Sequence, residues 1–271
     1  MARLFGTDGV RGEANTTLLP EMAYRLGRAA TLYFGKESED QPLIIIGRDT
    51  RISGEMFEAA LTAGICSAGG RAMLAGIIPT PAIAYLARKH KAKAGIVISA
   101  SHNPFHDNGI KFFGGDGYKL PDSVEDELES IVHQLETDDN LPRPTGRHIG
   151  HIEYRTDLLN QYMEFVLSTC QERFDGVKVV LDCANGAAYE PCQKSCAASV
   201  LMSRSSMRCR TARTSTMAAA RRISSPCRKP SSRIMLISAS RTTAMRIAVS
   251  AWMRRARSST ATISLSCVPW I

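Results

Sequence analysis

The sequence predicts an α/β fold: a mixed, mostly parallel sheet with helices on both faces, then a basic tail of different character. Three observations carry this. Short apolar runs alternate with segments of helical period through the first 150 residues. The run Gly95–Ile98 breaks off into Ser99-Ala-Ser-His-Asn-Pro104, and open α/β sheets place ligand chemistry at such strand ends. Acidic residues and glycines both stop after residue 190.

The elements follow in order. Leu43–Ile46 is a strand, and Gly47–Gly54 is a polar loop after it. Met56, Phe57, Ala60, Leu61 and Gly64 recur at helical spacing. Ala72–Ala75 is a second short strand. Pro79-Thr-Pro81 opens a helix carrying Ile83, Leu86 and Ala87, since proline suits a first turn. Gly95–Ile98 is short and β-branched, as a central strand should be. Pro104 stops any ladder beyond it, Asn108-Gly109 predicts a second turn, and Lys111 follows. Ser123 is the expected N-cap of a helix over 125–135, with Leu128, Ile131, Val132 and Leu135 on its apolar face. Residues 137–150 carry two prolines and no period, so they form a linker or an edge excursion. A helix over 154–169 and a strand over 177–181 then begin a second domain. The expected division is 1–150, 151–190 and 191–271.

The 271 residues hold no apolar run of 18, so a membrane span is not expected. The N-terminus lacks the apolar core of a secretion signal, which makes the cytoplasm the expected compartment. The net charge of +8 is an average of two unlike parts. Residues 191–271 hold 15 Lys and Arg and no Asp, Glu or Gly; the first 190 residues carry −7. The tail cysteines (192, 196, 209, 227, 267) form no paired C-x₂-C units, so zinc is not expected.

Four motifs together resemble one enzyme family. They are Phe5-Gly-Thr-Asp-Gly-Val-Arg-Gly12, Gly47-Arg-Asp-Thr-Arg-Ile-Ser-Gly54, Ser99-Ala-Ser-His-Asn-Pro104 and Asp182-Cys-Ala-Asn-Gly-Ala-Ala188. Their types and order are similar to those of the α-D-phosphohexomutases, above all the bacterial branch acting on glucosamine phosphates. The resemblance covers residues 1 to about 190. It implies that Ser101 carries a phosphoryl group between two hydroxyls of one sugar, through a bisphosphate intermediate. It implies that Lys111 accepts a proton or contacts phosphate, that Arg11 faces the phosphate, and that His102 positions the loop. A sugar phosphate is the implied substrate. Mg²⁺ is the implied cofactor, clamping a phosphoserine oxygen with three aspartates of a later metal loop. Those aspartates are absent from this chain. Arg48, Asp49 and Arg51 read as a structural ion-pair loop rather than a substrate site.

The tail can be tested against the genetic code. If it is read one base late, Arg241–Val249 can be rebuilt as His-Asp-Gly-Asp-Ala-Asp-Arg-Cys, which resembles the family's metal loop. Met245 before Arg246 permits the Ala there. Arg210–Ala220 can be rebuilt as Asp-Gly-Thr-Asn-Ile-Asn-Asp-Gly-Cys-Gly, with Met217 before Ala218 forcing a Gly. The slip would lie near residues 190–192. The tail is therefore expected to be out of frame and without fixed structure, and the chain to be inactive or nearly so. Two rival functions stay open. One is a phosphohexomutase for glucose or mannose phosphates. The other is a nucleic-acid-binding protein working through its basic tail, although any such segment binds polyanions without selection.

Overall fold

The computed structural model describes residues 3–7, 9–36, 40–169, 183 and 185–191, and the backbone alone of 178–182, 234–239 and 263–265. In chain order the elements are β1 (Val10–Glu13), α1 (Pro20–Phe34), β2 (Leu43–Arg48), α2 (Ser53–Ser67), β3 (Arg71–Ile77), α3 (Thr80–Lys89), β4 (Ala94–Ile98), β5 (Asp107–Gly114), α4 (Asp122–Thr137), β6 (Ile152–Tyr154), α5 (Leu158–Ser168), β7 (Lys178–Asp182), β8 (Ile234–Ala239) and β9 (Ile263–Leu265). The chain divides into two compact units, Met1–Leu158 and Leu159–Ile271.

The first unit is built on a six-stranded sheet in the order β1-β5-β4-β2-β3-β6. The pairs β4–β2, β2–β3 and β3–β6 are parallel; β1–β5 and β5–β4 are antiparallel. The mixed, mostly parallel sheet matches the sequence expectation. Alternation along the strands sorts the two faces. Ile44, Ile46, Ile96, Ile98, Ile110 and Phe112 join one core with Leu26 of α1, Phe57 and Leu61 of α2, and Leu128 and Val132 of α4. Each such side chain contributes roughly 1.5–3 kcal/mol by leaving water. On the other face Gly47 and Gly95 lie beneath α3, where a Cβ at Gly95 would come within 2.7 Å of Ile83 Cγ2. Small residues on the sheet let that helix sit close.

Helices α1 and α2 cross on a pair of glycines. A Cβ at Gly27 would meet the Leu61 carbonyl oxygen at 2.3 Å, and one at Gly64 the Tyr24 carbonyl oxygen at 2.0 Å. Arg28 is fully buried. It donates to Asp139 Oδ2 (2.6 Å) and to the carbonyls of Leu141 and Pro142. These bonds fix the segment after α4, which is an edge excursion rather than a loose linker. The excursion returns as β6, where Arg71 pairs with Glu153. The expected border after residue 150 thus falls inside the first unit, because β6 completes its sheet.

Two local expectations are corrected. Asn108-Gly109 is not a turn but part of β5, paired with Gly12 and Arg11 of β1. Asn108 is fully buried, donates to Ser53 Oγ (2.9 Å) and accepts from the Gly109 amide. These bonds hold the pair extended. Ser123 is not the N-cap of α4. The helix starts one residue earlier behind Pro121, whose carbonyl accepts from the Val124 and Glu125 amides. In the second unit β7, β8 and β9 form a parallel three-stranded sheet. The tail expected to lack structure contributes two of those strands. The rest of that expectation, and the rebuilt metal loop, lie outside the described residues.

Candidate active site

The candidate site forms where β2 and β4 end side by side. Arg48 is in register with Ile98, and the Asp49 amide donates to the Ile98 carbonyl (3.0 Å). The next residues, Asp49 and Ser99, leave two adjacent parallel strands at their carboxyl ends, as the α/β rule requires. The Ser99 amide donates to the Gly109 carbonyl (2.8 Å), which ties in β5.

Ser101 takes a left-handed backbone conformation, φ 55°. This costs an L residue about 1–2 kcal/mol, so something must hold it. Both backbone polar groups are held. The Ser101 amide donates to Ser99 Oγ (3.1 Å), and Ser99 Oγ donates to Asp49 Oδ2 (2.7 Å). The Ser101 carbonyl accepts from Arg51 Nη2 (3.1 Å). Ser101 Oγ lies 3.4 Å from His102 Nδ1, at the long end of a hydrogen bond.

Arg51 is the residue whose role the sequence understated. Its guanidinium is 2% exposed and has five N–H donors. Nε bonds Asp49 Oδ2 (3.1 Å), Nη1 the carbonyls of Pro104 (2.5 Å) and Asp107 (2.9 Å), and Nη2 those of Ser101 and Asn103 (2.9 Å). The Arg51 amide also donates to Asp49 Oδ1 (2.9 Å). The ion-pair loop expected from the sequence is present, but it grips the serine loop through three of that loop's carbonyls and through the Asp107 carbonyl at the start of β5. Arg48 turns elsewhere, to Glu55 and Glu58. Burial pushes the Glu58 carboxyl up, against the pull of Arg48.

Arg11 and Lys111 reach the same side of the sheet from β1 and β5. Arg11 stands opposite Gly109, and a Cβ there would come 2.9 Å from Arg11 Cγ and 3.0 Å from the Ser99 carbonyl oxygen. The missing side chain lets the arginine stem cross β5 beside the serine loop. Lys111 lies two residues further along the same face of β5, in register with Val97, with its Nζ 6.0 Å from the Phe113 ring. The two cations and the serine loop thus share one end of the sheet.

The described residues do not form a metal site. Among the described residues no three His, Cys, Asp or Glu side chains gather to hold an ion. The two carboxylates at the loop are engaged: Asp49 with Arg51 and Ser99, Asp107 with Asn103 Nδ2 and His106.

The family defined as "Phosphoglucomutase/phosphomannomutase, alpha/beta/alpha domain I" matches residues 2–139. The chain belongs to this family. Phosphoglucosamine mutases from Ruminiclostridium cellulolyticum and Moorella thermoacetica are 54% identical over 190 residues and 58% identical over 189. These matches cover 70% and 69% of this chain and 42% of each relative, so the chain spans less than half the length of the relatives it matches. The fold is shared with a phosphoglucomutase/phosphomannomutase family protein from Burkholderia thailandensis, at TM-score 0.58 and 24% identity, over 71% of this chain and 41% of that one. It is also shared with the Paramecium phosphoglucomutase pp63/parafusin, at TM-score 0.53 and 17% identity, over 72% and 42%. No described helix is long and apolar enough to cross a membrane.

Proposed function

We propose that this chain carries the phosphate-bearing serine of a phosphoglucosamine mutase, and that the 271-residue polypeptide itself turns over little or not at all. The observation that supports the first part is Ser101: a non-glycine residue held at φ 55° at a strand's carboxyl end, with both backbone groups bound. Strain of this kind gathers at functional sites. The identity to phosphoglucosamine mutases favours glucosamine phosphate over glucose or mannose phosphates.

In this reading the Ser101 oxygen attacks the phosphorus of a sugar bisphosphate. The Oγ–P bond forms, the P–O bond to the sugar breaks, and the hydroxyl proton passes to the departing sugar oxygen or to a base. In the companion step the phosphoserine passes its phosphoryl group to the free hydroxyl of a sugar monophosphate, the Oγ–P bond breaks, the serine oxygen regains a proton, and the bisphosphate is re-formed. Lys111 handles that proton or contacts the phosphate, Arg11 offsets the phosphoryl charge, and His102 steadies the loop. Positioning and charge neutralisation dominate such transfers.

The inactivity follows from what the tail lacks. No Asp or Glu occurs after residue 190, so the family's metal aspartates have no counterpart there. The 190 residues aligned with the Ruminiclostridium relative equal in length the segment that precedes the acid-free tail. This supports an out-of-frame origin for the tail, which the nucleotide sequence around codon 190 would test directly. The activity test is a coupled mutase assay on the purified chain, with the Ser101→Ala variant beside it. Turnover indistinguishable in the two is expected. Turnover that vanishes in Ser101→Ala would overturn the inactivity. Mass spectrometry after incubation with glucosamine 1,6-bisphosphate tests the carrier itself, because phosphate found at a residue other than Ser101 would refute it.

A further inference from the structure

We propose that Arg51 is the positioning residue that sets the backbone of Ser101, with Asp49 and Ser99 as its relay. The inference rests on Ser101 being the phosphate carrier, and it explains how the carrier is aimed.

All five guanidinium donors of Arg51 are used, and four of them end on carbonyls of the serine loop and its exit into β5, at Ser101, Asn103, Pro104 and Asp107. Carbonyls spread over residues 101–107 would point in different directions along an extended chain. Here they converge on one buried cation, and that convergence is a curled loop. The remaining donor meets Asp49, whose same oxygen accepts from Ser99; Ser99 in turn accepts the Ser101 amide. The two ends of the Ser101 residue are therefore tied to one Arg–Asp pair, the carbonyl directly and the amide through Ser99. A residue clamped at its amide and its carbonyl has little freedom in φ and ψ, and the left-handed value is what the clamp selects.

The chemistry explains why the residue is arginine. A lysine ammonium offers three donors from one point, whereas a guanidinium spreads five in a planar fork. The clamp also keeps Arg51 off the substrate, since its charge is neutralised by Asp49 and its donors are consumed. Its influence on phosphoryl transfer passes wholly through the geometry of Ser101.

The experiment is NMR on the isotope-labelled 271-residue chain and its Arg51→Lys and Ser99→Ala variants. The Ser101 Cα and Cβ chemical shifts report its backbone conformation, while amide exchange in β2 and β4 reports the sheet. In Arg51→Lys the Ser101 shifts should leave the left-handed range while the sheet amides keep their protection. Ser99→Ala, which removes only the relay hydroxyl, should move them in the same direction and less far. A merely structural Arg51 would lower the melting temperature and leave the Ser101 shifts in place. Unchanged Ser101 shifts in a folded Arg51→Lys variant overturn the proposal. If that variant does not fold, Ser99→Ala decides it by the same criterion. Failure of Ser101 to take phosphate would sink the functional reading and leave these shifts as an independent result.

Discussion

Replacing Ser101 by glycine should leave a more stable protein than replacing it by alanine. Both substitutions remove the same hydroxyl, so every interaction of that oxygen cancels in the comparison. What differs is the backbone. At φ 55° alanine retains the clash of its Cβ, at a cost of about 1–2 kcal/mol, and glycine does not. Glycine gives back about 0.5–1 kcal/mol through the greater freedom of its unfolded chain. The difference left is centred on about 0.75 kcal/mol in favour of Ser101→Gly, or roughly 1.5–3 °C in melting temperature for a unit of this size. Urea unfolding followed by circular dichroism, with both variants in one buffer, measures it. An alanine variant as stable as the glycine variant, or more so, would refute the reasoning, because the left-handed geometry would then carry no strain.

Gly64→Ala should destabilise the first unit by about 3 kcal/mol or more, since its Cβ would stand 2.0 Å from the Tyr24 carbonyl oxygen and neither helix backbone can yield cheaply; the denaturation midpoint reports it. Gly109→Ala should cost about 1–3 kcal/mol by pushing against the Arg11 stem and the Ser99 carbonyl, and the Ser101 amide resonance should shift with it. Glu153 gives a pH signature. Hydrogen bonds from Arg71 hold its carboxyl below the ordinary value of 4.5. Its contribution is thus present above that value and lost as pH falls through the lower folded one. The stability advantage of wild type over Glu153→Gln should therefore shrink on acidification below about pH 5, and an advantage independent of pH would rule the pairing out.

Strand β4 and its loop were legible because burial on both faces demands an unbroken apolar run, and Gly95–Ile98 supplies one that stops at a polar string. Asn108-Gly109 misled for a physical reason. The pair suits a tight turn locally, but here the glycine clears space for Arg11 and the asparagine is spent on Ser53. The start of α4 was missed because backbone carbonyl bonds at Pro121 replaced a side-chain cap. The reach of Arg51 had no local signal at all. Its loop partners lie 50 to 56 residues away, and they are carbonyls, which every residue possesses. What could have flagged it is an arginine set between an aspartate two residues before it and a serine-glycine helix start just after.

The placement of β1 has a consequence for synthesis. Val10 pairs with Ile110, 100 residues later in the chain. At about 5–20 residues per second, a nascent chain carries Arg11 for roughly 5–20 s before its partner strand exists. Late in that interval, once Ile98 has been made, the parallel centre β2–β3–β4 can form without it, because the ladders of those strands are made with one another and not with β1. The arginine therefore joins a serine end that is already half assembled. A ribosome stalled before β5 would display the parallel centre with an unpaired N-terminal strand, open to any sheet edge that reaches it first.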